Sequence, residues 1–201
     1  MNEPWYEVVD GATSLTQGDL VFGCPLLTWD PTKLPQVSGE QEAEVLKDAS
    51  VGFKADVVVI TQACDLEHGK VKNVVLCPHI SISTYRAKWN KAMTDRKQEP
   101  TDKAFKGTCE DIAEGYIWNH AFLNSSDVES FKSELRLVDF HEIFTVPRSF
   151  LESLLQQRNV PRLRLRPPYR EHLSQAFARF FMRVGLPTAL DKPWKTATAK
   201  S

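Results

Sequence analysis

The stretch Asp56-Val57-Val58-Val59-Ile60-Thr61 decides the fold: four consecutive β-branched apolar residues stand between polar ones. Such side chains are stiff about χ1 and suit a pleated strand, and a run that is apolar at every position fits a strand covered on both faces. The spacing therefore predicts a central strand over 56–61. Directly after it, Gln62 to Lys70 holds Asp65, His68 and Gly69, which supply turn chemistry. Val71 to Cys77 is a second apolar run, broken by Pro78, with Ile80 and Ile82 continuing the alternation. A connection of about nine residues is too short for a parallel crossover, so these two strands should be antiparallel neighbours.

Upstream, Gln17-Gly-Asp-Leu-Val-Phe-Gly23 reads as a strand entered through a Gly-Asp turn, and 28–52, rich in Pro, Gly, Ser and acids, as a long exposed loop with one helical turn over 40–47. Downstream, 84–134 breaks the strand pattern. It is rich in Lys and Glu, with helical spacing near 86–96 and 104–114 and a possible strand from Tyr116 to Leu123. Leu135 to Val146 resumes an alternating strand, or two strands with a bend near Asp139, and Pro147 stops it. Ser149 is placed to cap a helix with Phe150, Leu151, Leu154 and Leu155 on its apolar face. The clearest helix follows Pro167-Pro168, where Leu173, Ala176, Phe177, Phe180, Phe181 and Val184 repeat at i, i+3, i+4 and predict burial of Phe177 and Phe181. Gly185 and Pro187 are placed to end it, and 188–201 should fray.

Composition narrows the class. The 201 residues suit a single domain, 1–201, with 84–134 as an insertion; 42% hydrophobic and 25% charged residues are ordinary for a globular chain. No stretch approaches the roughly 18 apolar residues of a membrane span, and the polar, acidic N-terminus lacks a secretory pattern, so the expectation is a cytoplasmic protein. Cys24, Cys64, Cys77 and Cys109 form no C-x-x-C pair and are expected to be thiols or ligands rather than disulfides. The net charge of −1 hides a split. Residues 1–50 carry nine acids against two lysines, whereas 158–201 carry seven arginines and three lysines against two acids. Either an anionic partner meets the basic end, or the two ends pack together.

The order of these signals resembles the MazF/PemK toxins, SH3-like barrels that cleave RNA. The matching stretches are Gln17-Gly-Asp-Leu-Val-Phe22, Lys54-Ala-Asp-Val-Val-Val-Ile60, Asn73-Val-Val-Leu-Cys-Pro78 and Phe140-His-Glu-Ile-Phe-Thr-Val-Pro147, with Val184-Gly-Leu186 near the end. They span about half the chain and leave 84–134 as the insertion. The resemblance implies a small bent antiparallel β-barrel, α+β in class, with a helical insertion and a C-terminal helix. It also implies that Lys54 stands where the family has the Arg of an Arg-Pro pair. Lysine keeps the charge and loses the bidentate fork. Where the family has a hydroxyl residue, this chain has His79, with Ser81 two residues on.

Four constellations bear on function. Thr61, Gln62, Cys64 and Asp65 directly follow the buried strand, where scaffolds present binding groups; the structural alternative is an Asx turn at Asp65 with Cys64 tucked into the core. Cys64, His68, Cys77 and His79 are the weak candidates for a metal, at a spacing unlike common zinc sites, and no metal or other cofactor is expected. Cys64 or Cys77 with His68, His79 or His141 and Asp65 would be the parts of a nucleophilic pair, with no local signature. Arg162, Arg164 and Arg166 alternate with Leu163 and Leu165, which in a strand puts three guanidinium groups on one face, able to track phosphates or to pair with the acidic N-terminal half. No glycine-rich phosphate loop is present. Two functions follow. One is a non-catalytic binding or accessory module of a bacterial mobile-element or defence system, using the barrel groove and arginine face to hold a protein or nucleic acid. The other is a toxin-type endoribonuclease in which Lys54 stabilises phosphate charge and His79 transfers a proton. The departures at Lys54-Ala55 favour the first.

Overall fold

Side chains of successive strand residues point to opposite faces, so the run Val57–Ile60 needs two cores, and it has them. The computed structural model describes residues 4–33 and 47–182. In chain order these form β1 (Tyr6–Val9), β2 (Leu20–Trp29), β3 (Ser50–Val59), α1 (Ala63–Glu67), β4 (Asn73–Ser81), α2 (Ile82–Asp95), α3 (Asp102–Ala113), β5 (His120–Leu123), β6 (Arg136–Asp139), β7 (Phe144–Pro147), α4 (Arg148–Arg158), β8 (Arg162–Leu165) and α5 (Tyr169–Phe181). Val57 and Val59 pack with Cys24, Leu26, Val74, Leu76 and the buried face of α4, Leu151 and Leu155. Val58 and Ile60 pack on the other side with Cys77, Val138, Phe140, Leu163, Leu165 and Leu173 of α5.

The class is α+β with antiparallel sheets. β3 and β4 are antiparallel neighbours, Val58 opposite Cys77, as the short connection requires. The opposite edge of β4 is shared: Asn73–Leu76 pairs with β7, and His79–Ser81 pairs with β6. The stretch 136–147 is thus two strands broken after Asp139. Its carboxylate accepts the His141 N–H at 2.9 Å, an Asx turn that swings Phe140 into the core. β5 adds to β6 as the last strand of the six-stranded sheet, so the insertion contributes α2, α3 and an edge strand.

Several expectations need correction. A closed barrel is not found: the described strands make a six-stranded sheet and a separate β1–β8 pair, which meets the larger sheet through the Asp19–Arg164 bridge and the Leu165 N–H to Gly18 carbonyl bond of 3.0 Å. The exposed loop of 28–52 is shorter than its polarity suggested, because Thr28 and Trp29 pair with Val51 and Ser50 and lengthen the β2–β3 hairpin. The helical turn expected over 40–47 lies almost wholly outside the described residues, as do Val184, Gly185, Pro187 and the tail 188–201. Pro147, not Ser149, is the N-cap of α4. In α5, Phe177 packs against the core, whereas Phe181 is 53% exposed, because the described core ends at Phe140 and Phe180. No helix among the described residues is long and apolar enough to cross a membrane.

Candidate functional site

A bulge between Val21 and Cys24 lifts β2 from β3, and Gly23, at φ +56°, turns its N–H onto Asp56 Oδ1 at 2.9 Å. Asp56 shares a face with Val58, and on that face β6 brings Arg136 alongside: Arg136 Nη2 donates to Asp56 Oδ2 at 2.5 Å. The same guanidinium donates through Nε to His79 Nδ1 at 2.7 Å and lies 5.3 Å from the centroid of the Phe22 ring. A cavity of about 570 Å³ opens over this triad, lined also by Lys54, Ser81 and Thr84. The structure therefore brings Lys54 and His79 to one cavity. Lys54 is exposed and makes no ion pair among the described residues.

His79 is held inside this site rather than at its surface. It is 2% exposed, and burial, with the Arg136 charge beside it, pushes its pKa down to about 3 against the opposing pull of the Val57 backbone. Accepting at Nδ1 leaves the proton on Nε2, which has no hydrogen-bond partner among the described residues. A neutral, buried acceptor of this kind orients Arg136. At the mouth, Ser81 caps α2 by accepting the Thr84 N–H at 3.2 Å, while Glu134 takes the Ser83 N–H and hydroxyl at 3.2 and 2.6 Å. The hydrogen bond from the Ser83 side chain is the main cause that holds Glu134 below the usual carboxylate range. The cavity sets Lys54 and the Ser81 and Thr84 hydroxyl residues beside the Arg136–Asp56 pair. Neither Arg136 nor Asp56 was singled out by the sequence; Asp56 read as the polar end of an apolar run, and only β4 brings its partner near.

The loop after the central strand gathers around a second cavity of about 380 Å³, where Thr61, Gln62 and Asp65 meet Gln17, Asn73 and Ser174. Thr61 Oγ1 accepts the Val75 N–H at 2.7 Å and Gln17 Nε2 donates to the Ile60 carbonyl at 2.9 Å, so this loop is bonded into the fold. Leu66, not Cys64, is the residue that α1 buries; Cys64 is exposed, its sulfur 3.8 Å from Gln62 Oε1 and 3.9 Å from Asp65 Oδ1. Burial pushes the Cys77 thiol up to about 12, leaving a resting thiol. Cys64, His68, Cys77 and His79 do not come together, and no metal-holding group of three or more His, Cys, Asp or Glu occurs among the described residues.

The arginine face exists, and it points inward. Asp19, fully buried, accepts Arg162 Nε at 2.9 Å and Arg164 Nε at 2.5 Å. Arg162, 3% exposed, also donates to the carbonyls of Asp10, Thr13 and Ser14, and Arg164 to that of Ser14. The acidic front and basic end pack together at this point, and of the three arginines only Arg166 is exposed.

On the face opposite the triad runs an apolar groove of about 620 Å³ between β2, β3, β7 and the start of α4, lined by Leu26, Leu27, Phe53, Phe144, Val146 and Phe150 among others. Leu27 is 71% exposed, and Trp29, Val51 and Phe150 are exposed nearby. Lys54 lines this groove as well as the triad cavity. No family model matches the chain, and no match is found among curated proteins.

Proposed function

We propose that the chain is a non-catalytic binding module that holds a protein segment in the apolar groove, as an accessory subunit of a larger bacterial assembly. The observation that carries this reading is the groove itself: an open apolar trough whose rim keeps Leu27 and Phe150 in solvent. Its lining is apolar apart from Lys54 and Thr145, so the fitting occupant is an amphipathic segment with apolar anchors. A peptide library displayed against the protein tests it. Enriched peptides should carry spaced apolar residues and bind poorly to Phe150→Asp. Enrichment that is indifferent to Phe150→Asp would overturn the reading, as would none at all.

The endoribonuclease reading keeps one supporting observation, the meeting of Lys54, His79 and Arg136 at one cavity. Against it stands the pKa of His79, which leaves that ring neutral and occupied by Arg136. Resemblance to a PemK-like barrel belongs to the same proposal. RNA incubated with the protein should remain intact. Sequence-specific cleavage, lost in Lys54→Ala or His79→Ala, would reverse the order of the two readings.

A further inference from the structure

The insertion builds a cleft against the sheet that neither function uses. One wall is α2, the other the strands β4, β6 and β5, and the space between them is about 400 Å³, within the roughly 300–1,000 Å³ of small-molecule sites. Tyr85 and Trp89, one turn apart on α2, line the wall. Both rings are held by neighbours: Tyr85 stands edge to His120 at 5.5 Å, and Trp89 edge to Phe105 of α3 at 5.3 Å. On the sheet side, register places His120 opposite Asp139, and both line the cleft. Asp139 Oδ2 lies 3.8 Å from His120 Nε2, while His120 Nδ1 is buried with no hydrogen-bond partner among the described residues. Lys88, exposed on α2, and Arg96, exposed at its C-cap, line the cleft, and neither makes an ion pair among the described residues.

From an aromatic wall, a polar floor and a cationic rim, we infer that this cleft binds a nucleotide unit, base inward and phosphate outward. A base stacks on the Tyr85 and Trp89 rings, as bases do on aromatic platforms. Asp139 accepts from an exocyclic amine or ring N–H of the base. Lys88 and Arg96 meet the phosphate at the rim, away from the Asp139 carboxylate on the floor. Glu142 also lines the cleft, so the base and not the phosphate must lie toward it. The inference is independent of the apolar groove, which lies between other elements.

Calorimetric titration with each of the four nucleoside 5′-monophosphates tests it on the full chain. At least one should bind saturably with a dissociation constant at or below about 1 mM. The surface double variant Lys88→Ala/Arg96→Ala should melt as the wild type does and bind at least about tenfold more weakly, and Trp89→Leu should weaken the nucleotide and its nucleoside alike. A short single-stranded oligonucleotide that competes and binds tighter would identify a strand as the source of the unit; a tighter monophosphate would identify the free nucleotide. Absence of saturation with all four, or affinity unchanged in both variants, would overturn the inference.

Discussion

Asp19→Ala removes the carboxylate on which Arg162 and Arg164 both close, and its cost follows from what stays behind. Arg162 is almost fully buried and keeps three carbonyl acceptors, at Asp10, Thr13 and Ser14, yet loses its counter-charge. Arg164 keeps the Ser14 carbonyl and is less buried. Breaking a buried ion pair by deleting one partner costs about 3–5 kcal/mol, because the other charge is left uncompensated. The retained carbonyls place this case near the lower end, about 3 kcal/mol. With a urea slope of about 2 kcal/mol per molar, the unfolding midpoint should drop by about 1.5 M. Urea melts at pH 7 followed by tryptophan fluorescence read it directly. A double-mutant cycle with Arg164→Ala should show coupling, since the two side chains share Asp19. A loss below about 1 kcal/mol, with no coupling, would refute the claim that these arginines serve the fold.

His79, with its pKa near 3 in the folded state against an ordinary 6.5, takes up a proton in the unfolded chain before it does in the folded one, so its contribution makes stability fall as pH drops from about 6.5 toward about 3. His79→Gln, which keeps an acceptor for Arg136, should flatten that acid limb in melting curves, and an NMR midpoint for His79 near 6.5 would contradict it. On α5, Phe177→Ala should cost about 2 kcal/mol, since its ring meets Phe140 edge-on at 5.6 Å while half-buried. Phe181→Ala, at a mostly exposed position, should cost less than about 1 kcal/mol; equal losses in denaturant melts would show that both rings are core.

The apolar run at 57–60 by itself dictated a strand covered on both faces, and the short link to Val71–Cys77 dictated its antiparallel neighbour, because side-chain alternation and chain reach are local properties. The helices at 82–95, 102–113 and 169–181 were legible for the same reason. Alternation likewise put Arg162 and Arg164 on one face. Which way that face looks is a matter of what lies across from it, and Asp19, 143 residues from Arg162, turned it inward. Lys54 and His79 were visible as single residues, but what His79 does depends on Arg136, reached only because β4 lends one edge to both β6 and β7. Its proton affinity is set by burial and a neighbouring charge, neither of which is written in local sequence. The cleft under α2 has the same origin: Tyr85 and Trp89 share a helix face by spacing alone, whereas their meeting with His120 and Asp139 required long-range strand pairing, which no local period encodes.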